Sequence, residues 1–167
     1  MKHQAIQLYQ YHVWANEKVF NHLKELPRET YDAVVQSVFP SISEALIHIY
    51  RIDTMWLGAM SGESYEKMVA GIQRVLEETK GIGLENLQTL YQQAAEQFEA
   101  FFANEDMDAV KPYPHPQYGT LNASYADIVQ HLVNHGTYHR GNITAMLRQQ
   151  GQRGIPTDYA FYLYEIR

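Results

Sequence analysis

A chain of 167 residues, 46% of them hydrophobic and 13% aromatic, can bury a sizeable core; this excludes a disordered polypeptide and predicts a single domain over residues 1–167. It contains no cysteine, which excludes disulfides, thiolate metal ligands and a nucleophilic cysteine, so any thiol chemistry needs a thiol brought by a cosubstrate. The formal charge is −6, with Lys and Arg scattered along the chain, so the footprint of a phosphate-backbone binder is missing and nucleic acid is not an expected partner. The opening MKHQAIQLYQYHVW lacks an uninterrupted apolar stretch, and no run approaches the ~18 apolar residues of a membrane span. The expectation is a soluble, cytoplasmic protein without a membrane partner. Gly81 and Gly83 are not followed by the GKS or GKT of a phosphate-binding loop.

From His3 to Leu26, the residues Ile6, Tyr9, Val13, Phe20 and Leu23 recur at helical spacing and Pro27 ends the run, which predicts a first amphipathic helix. Asn16 lies within the same stripe. It is either a polar group of the core that fixes helix register or a residue facing a pocket. After a loop to Pro40, Ser41 or Ser43 can cap a second helix running to about Met60, with Gly58 and Gly62 marking its end; Ser41 with Glu44 forms a capping-box pattern. With His48 at zero on the helical wheel, Ala45, Ile49, Ile52, Met55, Trp56 and Ala59 fall between about −20° and +100°, which places His48 at the edge of the buried face. There it can serve as a metal ligand or as a hydrogen-bonded histidine of the core margin.

In the stretch 62–83, Val69, Ile72, Val75 and Leu76 point to a short helix broken by Gly81 and Gly83. From Leu84 to Ala103, Leu87, Leu90, Ala94, Phe98 and Phe102 mark a third long helix that supplies core aromatics. Pro112, Pro114, Pro116 and Gly119 then read as a long loop with a short extended pair around YPHPQYGTL, and His115 as a surface or lid residue. Asn122 or Ser124 caps the fourth helix, which Gly151, Gly154 and Pro156 terminate. The aromatic tail TDYAFYLYEIR packs back on the bundle or on a second subunit.

The fourth helix carries most of the chemistry. His131, His135 and His139 follow one another at intervals of four, which stacks them along one side. With His135 at zero, His139 lies near about +40° and His131 near about −40°, while Tyr125, Ile128, Leu132, Ile143 and Met146 fall between about +20° and +80°. The inward pair is therefore His135 and His139. Two neutral imidazoles one turn apart can aim a ring nitrogen each at one divalent cation, and His48 is the natural third ligand. Asn142 near about −20° and Tyr138 near about −60° belong to the rim with Asn16, as acid–base groups or as partners that orient an imidazole.

The segments LYQYHVWANEKVFNHLKELP, ALIHIYRIDTMWL and, above all, HLVNHGTYHRGNI resemble the DinB family, also described as DinB/YfiT-like metalloenzymes. The similarity covers nearly the whole chain, and its strongest motif is the NHxxxHRG element formed by Asn134, His135, His139, Arg140 and Gly141. The resemblance implies an all-α four-helix bundle of up-down-down-up topology, usually a homodimer, with a divalent metal (Zn, Ni, Fe or Mn) on three histidines. Carried over by motif, those ligands are His48, His135 and His139, and His131 has no ligand role. The family name refers to damage-inducible expression. Family members with assigned chemistry imply a small-molecule substrate and a metal-dependent transferase using a low-molecular-weight thiol such as bacillithiol, or a hydrolase. The alternative is a non-catalytic dimer with a structural metal, closed by His131 or His12 as a fourth ligand. A di-iron carboxylate bundle is excluded because no Glu-x-x-His occurs, and an HExxH peptidase because Leu132 and Gly136 stand where glutamate is required.

Overall fold

The computed structural model describes residues 3–167. Among them are six α-helices and one antiparallel hairpin: α1 (Gln4–Lys24), α2 (Ile42–Met60), α3 (Tyr65–Glu78), α4 (Leu84–Asn104), β1 (Val110–His115), β2 (Gly119–Ser124), α5 (Tyr125–Gln149) and α6 (Tyr159–Ile166). Among the described residues, no helix is long and apolar enough to cross a membrane. The four long helices coincide with the four expected from periodicity. Ser41 accepts a hydrogen bond from the Glu44 amide at the start of α2. It is Ser124 rather than Asn122 that caps α5, in a reciprocal capping box with Asp127 that satisfies amides the first turn leaves free.

Both α4 and α5 pack against α1 and α2. Two apolar clusters fill the interior. One contains Tyr9, Ala15, Leu57, Phe98 and Leu132, and the other Phe20, Ala45, Leu46, Ile143 and Met146. Between them lie the buried polar residues His12 and Asn16 of α1, Asp53 of α2 and Arg140 of α5.

Two readings of the sequence need correction. The buried face of α2 contains Ile42, Ala45, Leu46, Ile49, Asp53, Leu57 and Met60, so it centres near about +120° from His48 rather than between −20° and +100°. Met55 and Trp56 are only partly buried, because they line a lateral groove. The bundle is also not purely helical. The extended pair expected among the prolines is a paired hairpin in which Tyr113 faces Leu121 and His115 faces Gly119, with Gly119 at a φ of 78° where side-chain-bearing residues are strained. Its prolines are compatible with pairing because a two-stranded ribbon leaves each strand an open edge.

In the stretch 62–83 the helix is α3, capped by Ser64 and packed on α2, yet none of its residues is buried. The tail forms α6, which seats Tyr162 against Tyr11 and Trp14 of α1. Trp14 and Lys18 both donate hydrogen bonds to Glu165.

Since the Ser124–Asp127 box joins the hairpin to the helix bearing two of the three histidines, Ser124→Ala should lower stability by about 1 kcal/mol. Urea unfolding followed at 222 nm should show an earlier midpoint with an unchanged folded baseline.

Candidate metal centre

The site joins two helices far apart in sequence. His48 comes from α2, and His135 and His139 from α5, one turn apart. His48 Nε2 lies 3.0 Å from His135 Nε2, which in turn lies 3.1 Å from His139 Nε2, and the three side chains offer ligand atoms all within 4.8 Å of one another. The Phe39 ring closes one side, 5.0 Å from the His48 ring and 5.2 Å from that of His139.

An imidazole nitrogen has one in-plane lone pair, so His135 Nε2 cannot accept good hydrogen bonds from both neighbours. Its Nδ1 is buried and has no partner. A divalent cation, by contrast, takes one lone pair from each ring. Tetrahedral coordination at about 2.05 Å sets ligand nitrogens about 3.3 Å apart, within a few tenths of an ångström of the spacing here. The residues therefore fit a metal ion.

Electrostatics favours the same state. Burial, reinforced by His139 and Arg51, holds His48 down to about 4. Burial and the neighbouring histidines hold His135 down to about 3, and burial lowers His139 as well. All three rings are neutral near pH 7, with their lone pairs free for a cation.

Two further residues address the outer nitrogens. Arg51 Nη2 lies 3.0 Å from His48 Nδ1, and Asn142 Nδ2 lies 3.2 Å from His139 Nδ1. Metal ligation through Nε2 places a proton on each Nδ1. Asn142 can then turn its amide to present an oxygen, whereas Arg51 has only donors and must withdraw. Tyr138 sits on the rim, 64% exposed, with its ring 5.0 Å from that of His139.

His131 stands apart from the cluster. Its ring is 5.9 Å from that of His135 and packs on Trp56 at 5.5 Å. His12 is equally distinct, being engaged in the polar layer of the core. Arg140 Nη1 donates to Asn16 Oδ1 at 2.8 Å and lies 3.3 Å from His12 Nδ1. Because a guanidinium only donates, His12 Nδ1 is the acceptor and its Nε2–H donates to Asp53 Oδ2 at 2.9 Å. Asn16 Nδ2, 3.1 Å from the same Nε2, is then a packing neighbour rather than a donor. Asn16 is thus a buried residue of this polar layer, beside a small cavity that it lines with His12 and Asp53, and no hydrogen bond ties it to the three-histidine cluster.

Gly136, beside His135, makes room for this layer: a Cβ there would lie 2.6 Å from His12 Nδ1 and 2.8 Å from Arg140 Nη1. Asp53, Arg51, Phe39 and the burial of Arg140 escaped the sequence reading. Asp53 and Arg140 both fall near about +140° on their wheels, inside the buried arcs that the structure shows but outside those the sequence suggested, so the wheel gave no signal of their burial.

Together these features define a helical protein with a three-histidine cluster that can bind a metal ion. The chain belongs to the DinB family, whose model matches residues 1–167. It is similar to Protein DinB of Bacillus subtilis (strain 168), 42% identical over 161 residues, which cover 96% of this chain and 94% of that protein.

Two outcomes follow from this geometry. Unfolded histidines titrate near about 6.5, above the folded values of about 4 and about 3, so the unfolded state binds more protons in that window. For metal-free protein, the contribution of His48 and His135 to stability is complete above about pH 6.5 and lost as pH falls through about 4 and 3. Chemical denaturation across that range should show the loss, and His48→Gln with His135→Gln should flatten it. Separately, Gly136→Ala should cost about 1–3 kcal/mol through overpacking and weaken metal uptake by displacing His135, as read by urea unfolding and competitive metal titration.

Proposed function

We propose that this protein is a metal-dependent enzyme acting on a small molecule, with His48, His135 and His139 as ligands to one divalent ion (zinc, nickel, iron or manganese). The convergence of three Nε2 atoms from two helices carries the reading. Three neutral protein ligands leave a coordination position open, as catalytic sites do. Bound there, the ion supplies Lewis acidity that lowers the pKa of a coordinated water or thiol.

The chain's own residues do the rest. Asn142 orients the His139 ring, Phe39 shields His48 and His139 from water, and Tyr138 offers a hydroxyl on the exposed rim. With no cysteine on the chain, the thiol of an S-transfer comes from a low-molecular-weight cosubstrate of the bacillithiol kind.

The bundle that presents these residues is read as α1, α2, α4 and α5 in up-down-down-up order. The order of the two apolar clusters along the helices supports this: α1 and α5 run from the Leu132 cluster to the Phe20 cluster, and α2 and α4 run the other way.

Elemental analysis of wild-type protein should find about one divalent ion per chain, and His139→Ala should lose over ~100-fold in affinity, more than an outer-sphere change removes. His131→Ala should retain wild-type affinity. In the cobalt-substituted protein, 2-mercaptoethanol should shift the d–d bands. No metal uptake at all would overturn the proposal. Metal loss in His131→Ala with a spectrum blind to thiol would replace it with a closed structural site, and a spectrum that answers to pH but not to thiol would favour a hydrolase.

A further inference from the structure

The helix α3 and the hairpin contribute little to the core, and what they build instead is a groove against α2. Its volume is about 730 Å³, within the roughly 300–1,000 Å³ usual for small-molecule sites. Met55 and Trp56 of α2, Val69 and Ile72 of α3, and Tyr113 and Leu121 of the hairpin form its walls. No Asp, Glu, Lys or Arg lines it, although 19% of the chain is charged. His115 of the hairpin is the one titratable imidazole in the lining; the remaining walls give an anionic or cationic ligand no counter-charge, and they favour the burial of uncharged apolar surface.

The groove leads towards the three-histidine centre. Met55 lies two turns beyond His48 on the same face of α2, at about −20°. Trp56, in the groove wall, packs on His131, and His131 on His135, with ring separations of 5.5 and 5.9 Å. His131, which takes no part in the histidine cluster, thereby stands between Trp56 of the groove wall and His135 of the centre.

We propose that this groove holds the uncharged, apolar body of the small-molecule substrate, with its reacting end directed past Trp56 and His131 to the centre. The assignment of the reacting end rests on the metal-dependent reading above; the affinity of the groove for apolar molecules does not. The residues of α3 tolerate substitution without loss of the core, since none of them is buried.

Trp14 and Trp56 are the two tryptophans of the chain, so Trp14→Phe leaves Trp56 as the sole reporter. Titration with uncharged N-phenyl-1-naphthylamine should give saturable binding at one site per chain, with energy transfer from Trp56. Adding Ile72→Glu should weaken it at least ~10-fold while the thermal melt stays near the parent's. Binding should persist after chelation. In cobalt-loaded protein, 1-octanethiol should shift the d–d bands at a concentration at least ~10-fold below that needed for ethanethiol, and Ile72→Glu should remove that advantage.

Absence of saturable probe binding, or binding indifferent to Ile72→Glu, would overturn the groove as a ligand site. Sedimentation showing that Ile72→Glu converts a dimer to a monomer would overturn it in favour of a second copy of the chain. Equal potency of the two thiols would overturn the link to the centre. Probe binding in a protein that takes up no metal would sink the metal-dependent reading and leave the groove standing, so the two failures are distinguishable.

Discussion

A guanidinium buried to 2% exposure is the constraint on which this structure depends. Arg140 cannot shed its proton, although burial lowers its pKa, so its charge must be compensated inside the protein. Thr137 supplies one acceptor on the same helix and Asn16 and His12 of α1 supply two more, while the buried Nε–H is left without a hydrogen-bond partner. His12 hands the polarisation on to Asp53 of α2, so that a positive and a negative charge in the interior are bridged through one imidazole. Three helices are thereby tied at one level. A slip of any of them would leave a buried charge without a partner, at a cost of several kcal/mol.

That level is also the level of the histidine centre. Arg140 follows His139 directly, and Gly136 follows His135, with no room for a side chain between α5 and His12. The polar layer thus sets the height and rotation of α5 against α2, on which the approach of His48 to His135 depends. His48 can reach across because it lies well off the centre of the buried face of α2. A histidine in the middle of that face would have been consumed by the core, as His12 is on α1.

The remaining elements divide the work. Apolar clusters above and below the polar layer supply most of the burial, while α6 covers one flank of α1 through Tyr162. The helix α3 and the hairpin bury little of their own and instead wall an uncharged groove beside the centre. The rigid interior fixes the histidines, and the less buried periphery is free to shape what approaches them.

The sequence by itself determined the limits of α1, α2, α4 and α5, because apolar periodicity and capping residues act within a few turns. It also determined the inward pair His135 and His139, since a spacing of four on one helix is local geometry. His48 was legible as the edge of an apolar stripe, helped by resemblance, although its partner lies 87 residues away. The tertiary structure decided the rest. Asp53, His12 and Arg140 are charged or polar residues that become an interior network only when three helices meet, and a wheel angle cannot say which acceptor waits opposite. The true rotation of α2 and the exposed position of α3 likewise depended on neighbours. Short-range order is written in residue spacing, whereas the cost of burying a charge depends on what the rest of the fold places beside it.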